Sequence, residues 1–401
     1  MKVNVRLIKK LYDELDRTSR DRVDEAIARI VQTKKRGGKV VVVTGSGPNL
    51  HEGATTLIAE LINKGVVDGV LTSSAVIAHE MAGVLDKVKR VDGRELGIDE
   101  RILPRGFTYE ITVMDDLTVE KLKEEMPVDI ELIQRAMQLP GDVIIKAAGN
   151  MGYPMGLRTE KIAREVECLA RMFGVPFEFI AGLGADERTM IGAGARKNVP
   201  VLVSVPQLIG GGMVGLCIGD AISLKQRSAM IARILGEAGV IVESAIALSQ
   251  EIHDGPFEVY TGHGIWSAWE GVRTFSLEGK TLIRIDLDPT LEEAWQAERK
   301  GGSVQEAINK GLPKTKFLKV PFRMEMSGFA RLENSIPIRE DIGIIWPIIG
   351  FRVADELGIS LDFISYPQET PDGKKMREWI VDNIRILDKK IMYERTKELK
   401  R

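Results

Sequence analysis

Val40-Val41-Val42-Val43-Thr44-Gly45-Ser46-Gly47-Pro48-Asn49-Leu50-His51-Glu52-Gly53 decides how the rest of the chain is read. Four β-branched residues in a row read as a strand buried on both faces, and the Gly-Ser-Gly turn after them leads into a helix from Gly53 to Asn63. Glycines at Gly45 and Gly47 let backbone N–H groups approach a phosphate, and the helix that follows turns its positive end toward it. The spacing departs from the dinucleotide fingerprint G-x-G-x-x-G, because the third glycine falls too late and Pro48 removes a donor. A tight strand-to-helix turn without a ligand is the competing reading.

Outward from this stretch, strand-like and helical runs alternate. Gly69-Val70-Leu71-Thr72 precedes a helix from Ala75 to Leu85; Asp142-Val143-Ile144-Ile145-Lys146 precedes a helix from Thr159 to Phe173. Phe177 to Ala181, Val199 to Ser204, Val240 to Glu243 and Thr281 to Asp286 supply further strands, the last closing the sheet. This βαβ rhythm predicts an α/β fold with a mainly parallel, Rossmann-like sheet. Residues 1–37 read as an N-terminal helical arm, 38–320 as the nucleotide-binding core with an insertion at about 92–140, and 321–401 as an irregular C-terminal extension ending in a helix. Five prolines, from Pro321 to Pro371, break the last part into pieces.

The composition narrows the classes of function. With 56 Lys+Arg against 58 Asp+Glu and a formal net charge of -2, no basic stripe marks a nucleic-acid binder. No run approaches the ~18 apolar residues of a membrane span, and the first residues lack the apolar core of a signal peptide. The expectation is a soluble, cytoplasmic protein. Cys168 and Cys217 lack C-x-x-C spacing and read as buried thiols, and no histidine pair has metal-ligand spacing.

In an open parallel sheet, ligands bind outside the carboxyl ends of the strands. Those ends carry Thr44 to Asn49, Thr72-Ser73-Ser74, Ala147 to Gly152, Gly182 to Asp186, Gly210-Gly211-Gly212, Glu243-Ser244 and Asp286 to Pro289. Several backbone-exposing turns on one rim point to a large ligand such as a dinucleotide. Asp286 can accept from ribose hydroxyls, while Asp288 can instead cap the helix that begins at Pro289. Among the histidines, His79 and His263 occupy positions suited to proton transfer, with hydrogen-bonded packing as the alternative for each.

Thr44 to Leu50, followed by Gly65-Val66-Val67-Asp68-Gly69-Val70-Leu71-Thr72-Ser73-Ser74-Ala75, resembles the core of the deoxyhypusine-synthase-like NAD-binding fold. It is more closely similar to the C-terminal NAD domain of the archaeal-type ornithine cyclodeaminases, of the LOR/SDH type, also known from bifunctional arginine dihydrolase/ornithine cyclodeaminase proteins. Ala75 to Glu80, Lys197 to Val201, the loop from Gly210 to Asp220 and Ile285 to Pro289 fall in that family's order, so the resemblance covers roughly Gly38 to Arg299. It implies NAD held by Thr44, Gly45, Ser46, Gly47 and Asn49, by Thr72, Ser73 and Ser74, by Gly210, Gly211 and Gly212, and by Ser244 and Asp286. The implied chemistry takes a hydride from an amine-bearing carbon and ends in loss of ammonia. His79 or His263 would move protons, with Glu80, Asp220 or Glu243 holding the amine. Two features depart from the relatives. About thirty-five helical residues stand where the cyclodeaminases carry an extra N-terminal domain, and Gly264-Ile265-Trp266-Ser267-Ala268-Trp269 lacks the lysine of the deoxyhypusine synthases.

The leading expectation is an NAD-dependent enzyme, cyclodeaminase-like, acting on a small-molecule amine or amino acid. A non-catalytic nucleotide sensor and a sugar-phosphate-binding domain are the alternatives. A homodimer or homotetramer is expected by analogy with folds of this type.

Overall fold

The valine run forms β1 (Lys39–Thr44), and Val40 to Val43 are all buried. The computed structural model describes residues 3–149, 152–244, 277, 279–288, 291–312 and 334–399. β1 pairs in parallel with β2 (Gly69–Thr72) on one side and β7 (Ala238–Ser244) on the other. The sheet continues through β6 (Val201–Val203) beyond β2, and through β8 (Thr281–Ile285) and β9 (Ser335–Ile338) beyond β7, again all in parallel. Its order is β6-β2-β1-β7-β8-β9. The chain therefore builds from β1 to one edge, returns to the other flank of β1, and builds to the opposite edge. That direction reverses between β1 and β7, which is where a doubly wound sheet opens a crevice at its carboxyl end.

Both faces of the sheet are covered, as the unbroken valine run requires. Val40 and Val42 join the large core with α2 (Arg17–Lys35) and α4 (Ala54–Asn63), whereas Val41 and Val43 join a second core with Ile231 and Leu235 of α12 (Leu224–Glu237). α1 (Val5–Glu14) and α2 form the expected N-terminal arm. The spacing of Val23, Ala26, Ile27, Ile30 and Val31 puts one face of α2 against the helix Ile342–Glu356 and β9. A six-residue α3 (Ser46–His51) precedes α4, and Gly53 joins them at φ 70°, a conformation that costs glycine little.

Five expectations are corrected. Asp142 to Lys146 does not enter the parallel sheet: as β5 (Asp142–Ala147) it pairs antiparallel with β3 (Leu85–Asp92), whose other neighbour is β4 (Thr108–Thr112). The stretch read as an insertion is thus half of a separate three-stranded layer, together with α6 (Asp116–Glu125) and α7 (Ile130–Gln138). The helix expected to reach Leu85 ends sooner, because α5 (Ser74–Met81) is stopped by Gly83 at φ 96° and Val84 at φ 71°. Phe177 to Ala181 is helical, in α9 (Phe177–Gly184), which follows α8 (Met155–Phe173) and precedes α10 (Met190–Lys197). A helix buried on all sides presents the same unbroken apolar run as a buried strand. Small residues let it sit so deep: a Cβ at Gly182 would lie 2.3 Å from Ile191 O. Finally, β8 is not the last strand, since β9 lies outside it; Pro337 is tolerated there because an edge strand can forgo one donor. Cys168, read as buried, is exposed, while Cys217 in α11 (Met213–Ala221) is buried.

Candidate functional site

At the reversal point the ends of β1 and β7 are stitched together by side chains. Asn49 Nδ2 donates to Gly45 O at 2.6 Å, Ser244 Oγ donates to Asn49 Oδ1 at 2.6 Å, and Trp346 Nε1 donates to Ser244 Oγ at 2.8 Å. The Asn49 and Ser244 side chains are therefore engaged by the protein itself. Around this clamp lie hydroxyls of another kind. Thr44 Oγ1, Thr72 Oγ1 and Ser204 Oγ, from the ends of β1, β2 and β6, are buried and have no hydrogen-bond partner among the described residues. Gly47 lies in the first turn of α3, and a Cβ there would meet nothing within 4 Å. Ser46 opens α3 beside it.

The second and third turns meet one another. Ser73 caps α5, accepting from Val76 N at 3.3 Å, and Ser74 Oγ donates to Gln207 O at 2.8 Å. The glycine loop presses on the same helix start: a Cβ at Gly211 would stand 2.8 Å from both Ser74 C and Ser74 O. Gly210 and Gly212 flank that contact and are exposed. Beneath the loop, Glu178 accepts from Val203 N at 2.7 Å and from Arg227 Nη1 at 2.5 Å, while Arg227 donates to Val203 O and Ile218 O at 3.1 and 3.0 Å. Both side chains are wholly buried, so this pair fixes the strand end from which the loop departs.

His79 stands in the second turn of α5, roughly 8 Å along the axis from the capped end at 1.5 Å per residue. Its Nδ1 bonds the carbonyl of Ala148. A carbonyl only accepts, so Nδ1 carries the proton and Nε2 keeps its lone pair. Burial holds the imidazole below its ordinary pKa, which keeps it neutral at pH 7. His51, set aside in the sequence, is its neighbour: burial first, then Arg377, His79 and Lys146, lower its pKa to about 4. Arg377 bonds His51 Nδ1 at 3.2 Å, and Lys146 pairs with Glu110 at 2.8 Å. Nothing local in the sequence links these residues; β5 and the helix Pro371–Asn383 bring them together.

Other expected residues have different surroundings. Both oxygens of Glu80 accept from the start of α10, from Met190 N at 2.8 Å and Ile191 N at 3.0 Å, so this carboxylate anchors a helix N-terminus. Burial raises its pKa to about 7 against those two bonds. Glu243 is buried opposite Arg284, with Nη1 at 3.9 Å, and Arg284 Nη2 bonds Asp286 at 2.8 Å. Asp286 also accepts from Asp288 N at 3.1 Å, closing the turn after β8. Asp220 is exposed near the end of α11, and His263 lies outside the described residues.

The sheet order and its crevice define a doubly wound α/β protein with the strand sequence 3-2-1-4-5-6 of dinucleotide-binding folds. No protein-family profile and no curated protein matches the chain. Solved structures do. AgrE, in a ternary complex with ornithine and NAD+, is similar at 13% identity and a TM-score of 0.42, over 86% of this chain and 34% of AgrE. ArgZ, an arginine dihydrolase from the ornithine-ammonia cycle in cyanobacteria, is similar at 10% identity and a TM-score of 0.36, over 83% of this chain and 31% of ArgZ. A protein of Entamoeba histolytica provisionally assigned as a deoxyhypusine synthase is similar at 10% identity and a TM-score of 0.39, over 86% of this chain and 91% of that one. The chain spans about a third of the length of AgrE and ArgZ. No helix among the described residues is long and apolar enough to cross a membrane.

Proposed function

We propose that the chain is an NAD-dependent enzyme acting on a small amine or amino acid, with the dinucleotide in the crevice between β1 and β7. The observation that carries this reading is the sheet order, which reverses at the strand bearing the Gly45-Ser46-Gly47 turn. The local chemistry fits the ligand. Open space over Gly47 leaves room for a pyrophosphate, while the hydroxyls of Thr44, Thr72 and Ser204, although unpartnered, lie buried beneath the strand ends and would meet a ligand only if the rim opened.

NAD, when bound, supplies a hydride acceptor. The chain's own residues prepare the amine. An ammonium must lose a proton before its carbon can give up hydride, and His79 Nε2, neutral and unprotonated, is the base this reading assigns to that step. Burial keeps His79 from charging, and burial, then Arg377, His79 and Lys146, do the same for His51, so the base stays ready at neutral pH. Glu243 and Asp286 are bridged by Arg284, which makes them supports of the rim, where the amine-holding role assigned to Glu243 would require that bridge to open.

The test is to denature freshly purified protein and identify any released nucleotide, then titrate NAD and NADP by thermal shift and screen ornithine and lysine for turnover. Binding to the folded state raises the melting point by mass action. The absence of both release and shift removes the dinucleotide assignment, and NAD binding with no turnover of any amine favours the sensor. His79→Ala should lower turnover without changing the NAD shift; unchanged turnover removes its role as base.

A further inference from the structure

Arg377, on the helix Pro371–Asn383, is a partly buried cation that the described residues leave without an ion-pair partner. Glu52, whose charge does reach it, lies beyond salt-bridge distance and accepts from Gln368 N at 2.8 Å. Burial pushes that carboxyl up to about 7, which thins its charge at neutral pH. Nor are the donors of the guanidinium used up. Nη2 bonds Ile145 O and, at 3.2 Å, His51 Nδ1, whereas Nε is buried without a partner and Nη1 bonds no described residue. Burying a cation is costly unless an anion meets it, and burial holds this arginine below its ordinary pKa against the pull of Glu52.

The two imidazoles of this cluster are sorted by their partners. A guanidinium only donates, so His51 Nδ1, which accepts from Arg377, has the lone pair and Nε2 carries the proton. His79 has the opposite arrangement: Nδ1–H donates to Ala148 O, and Nε2 has the lone pair. Both rings are held neutral, His51 with its pKa lowered to about 4, so the two tautomers persist at pH 7. Neither Nε2 bonds a described residue. The cluster thus offers donors at one end, Arg377 Nη1 and His51 Nε2–H, and an acceptor at the other. His51 ends α3, four residues and about 6 Å along the axis from Gly47, which puts these groups about one helical turn from the phosphate turn. A planar guanidinium beside an imidazole N–H suits a carboxylate, and a lone pair suits an ammonium; a phosphate of the dinucleotide brings no cation for His79.

Building on the NAD-dependent reading above, we propose that Arg377 and His51 bind the carboxylate of the substrate whose amine His79 deprotonates, so that the substrate is an amino acid rather than a simple amine. A carboxylate supplies the anion that Arg377 lacks and accepts from the imidazole N–H, whereas an amine without one leaves both unmet.

Isothermal titration of the full chain, with and without saturating NAD, decides it by comparing L-ornithine and L-lysine with putrescine and cadaverine, the same molecules without their carboxylates. The expected result is binding of at least one amino acid at least tenfold tighter than its diamine. Arg377→Met should weaken the amino acid at least tenfold and leave the diamine and the NAD thermal shift unchanged. Arg377→Lys should fall in between, because lysine keeps the charge and loses the planar fork, and His51→Leu should cost severalfold. Circular dichroism confirms that each variant is folded; if Arg377→Met fails to fold, Arg377→Lys and His51→Leu decide. Equal affinity for amino acid and diamine, an affinity unchanged in the folded variants, or no heat with either amino acid overturns the proposal. Loss of the NAD shift in folded Arg377→Met also overturns it, since the anion would then be a phosphate of the cofactor. Amino-acid binding that depends on Arg377 in a chain without any NAD shift would uphold the carboxylate site and remove only the dinucleotide reading.

Discussion

At the carboxyl ends of β1 and β7 backbone turns lie over buried hydroxyls, whereas beyond α5 a cavity wall is made of charged side chains on several elements. The first region neutralises its own charges: Glu243 and Asp286 share Arg284, and Glu178 holds Arg227. The second carries both signs side by side, with Arg188 held by Asp186 and Arg158 by Glu125. A polyanion with a long, flat shape is best received by N–H groups at helix starts, which need no countercharge.

The largest break in this contrast is expected from Arg227→Met. It leaves Glu178 as a wholly buried charge without its partner, a change that costs about 3–5 kcal/mol and frees the end of β6 under the glycine loop. Urea denaturation should show that loss, with the NAD shift lost as well; a stability within about 1 kcal/mol of native would mean that the fold does not depend on this pair. Next in size, Ser244→Ala strips Asn49 Oδ1 of its Ser244 donor and Trp346 Nε1 of its acceptor, at about 1–3 kcal/mol. The same denaturation measurement checks it.

Gly47→Ala separates stability from binding. A Cβ there meets nothing, so the helix gains about 0.5–1 kcal/mol while the space for a phosphate shrinks. The expectation is an equal or higher melting point with NAD binding weakened about tenfold, roughly 1.4 kcal/mol; unaltered binding would put the pyrophosphate elsewhere. The smallest effect is on pH dependence. Glu52, between α3 and α4, is pushed up to about 7 by burial first and then by Asp341 and Glu369, while Gln368 N–H opposes the shift. Its folded pKa lies above the ordinary carboxyl value, so its contribution is full below about 4.5 and is lost as pH rises through about 7. Glu52→Gln should therefore be relatively more stable at pH 8 than at pH 5; a melting-point difference equal at both would show that the carboxyl stays ionised throughout.

The alternation of strands and helices, the first turn and the glycine loop were legible in the sequence because each is a local property: β-branched runs, glycine spacing, caps. Pairing was not. Asp142 to Lys146 has the composition of a parallel core strand, and only β3 beside it makes it antiparallel. Phe177 to Ala181 carries no period that distinguishes a buried strand from a buried helix. The glycine loop and Ser74 were each recognised alone; that they touch follows from where β2 and β6 lie in the sheet.

His79 drew notice in the sequence because imidazole chemistry is visible in a single letter, whereas Arg377 and Lys146, which surround His51 together with His79, belong to strands and helices far along the chain. Asn49 and Ser244 show the opposite case, residues in the right turn whose side chains serve the clamp with Trp346. By itself, then, the sequence determined the layered α/β class, the N-terminal helical arm and the turns at the carboxyl rim, since these depend on residues within a few positions of each other. Only the tertiary structure decided the strand order, the reversal between β1 and β7, and which charges are neutralised and which face open space, because each depends on contacts between segments that the chain brings together from afar.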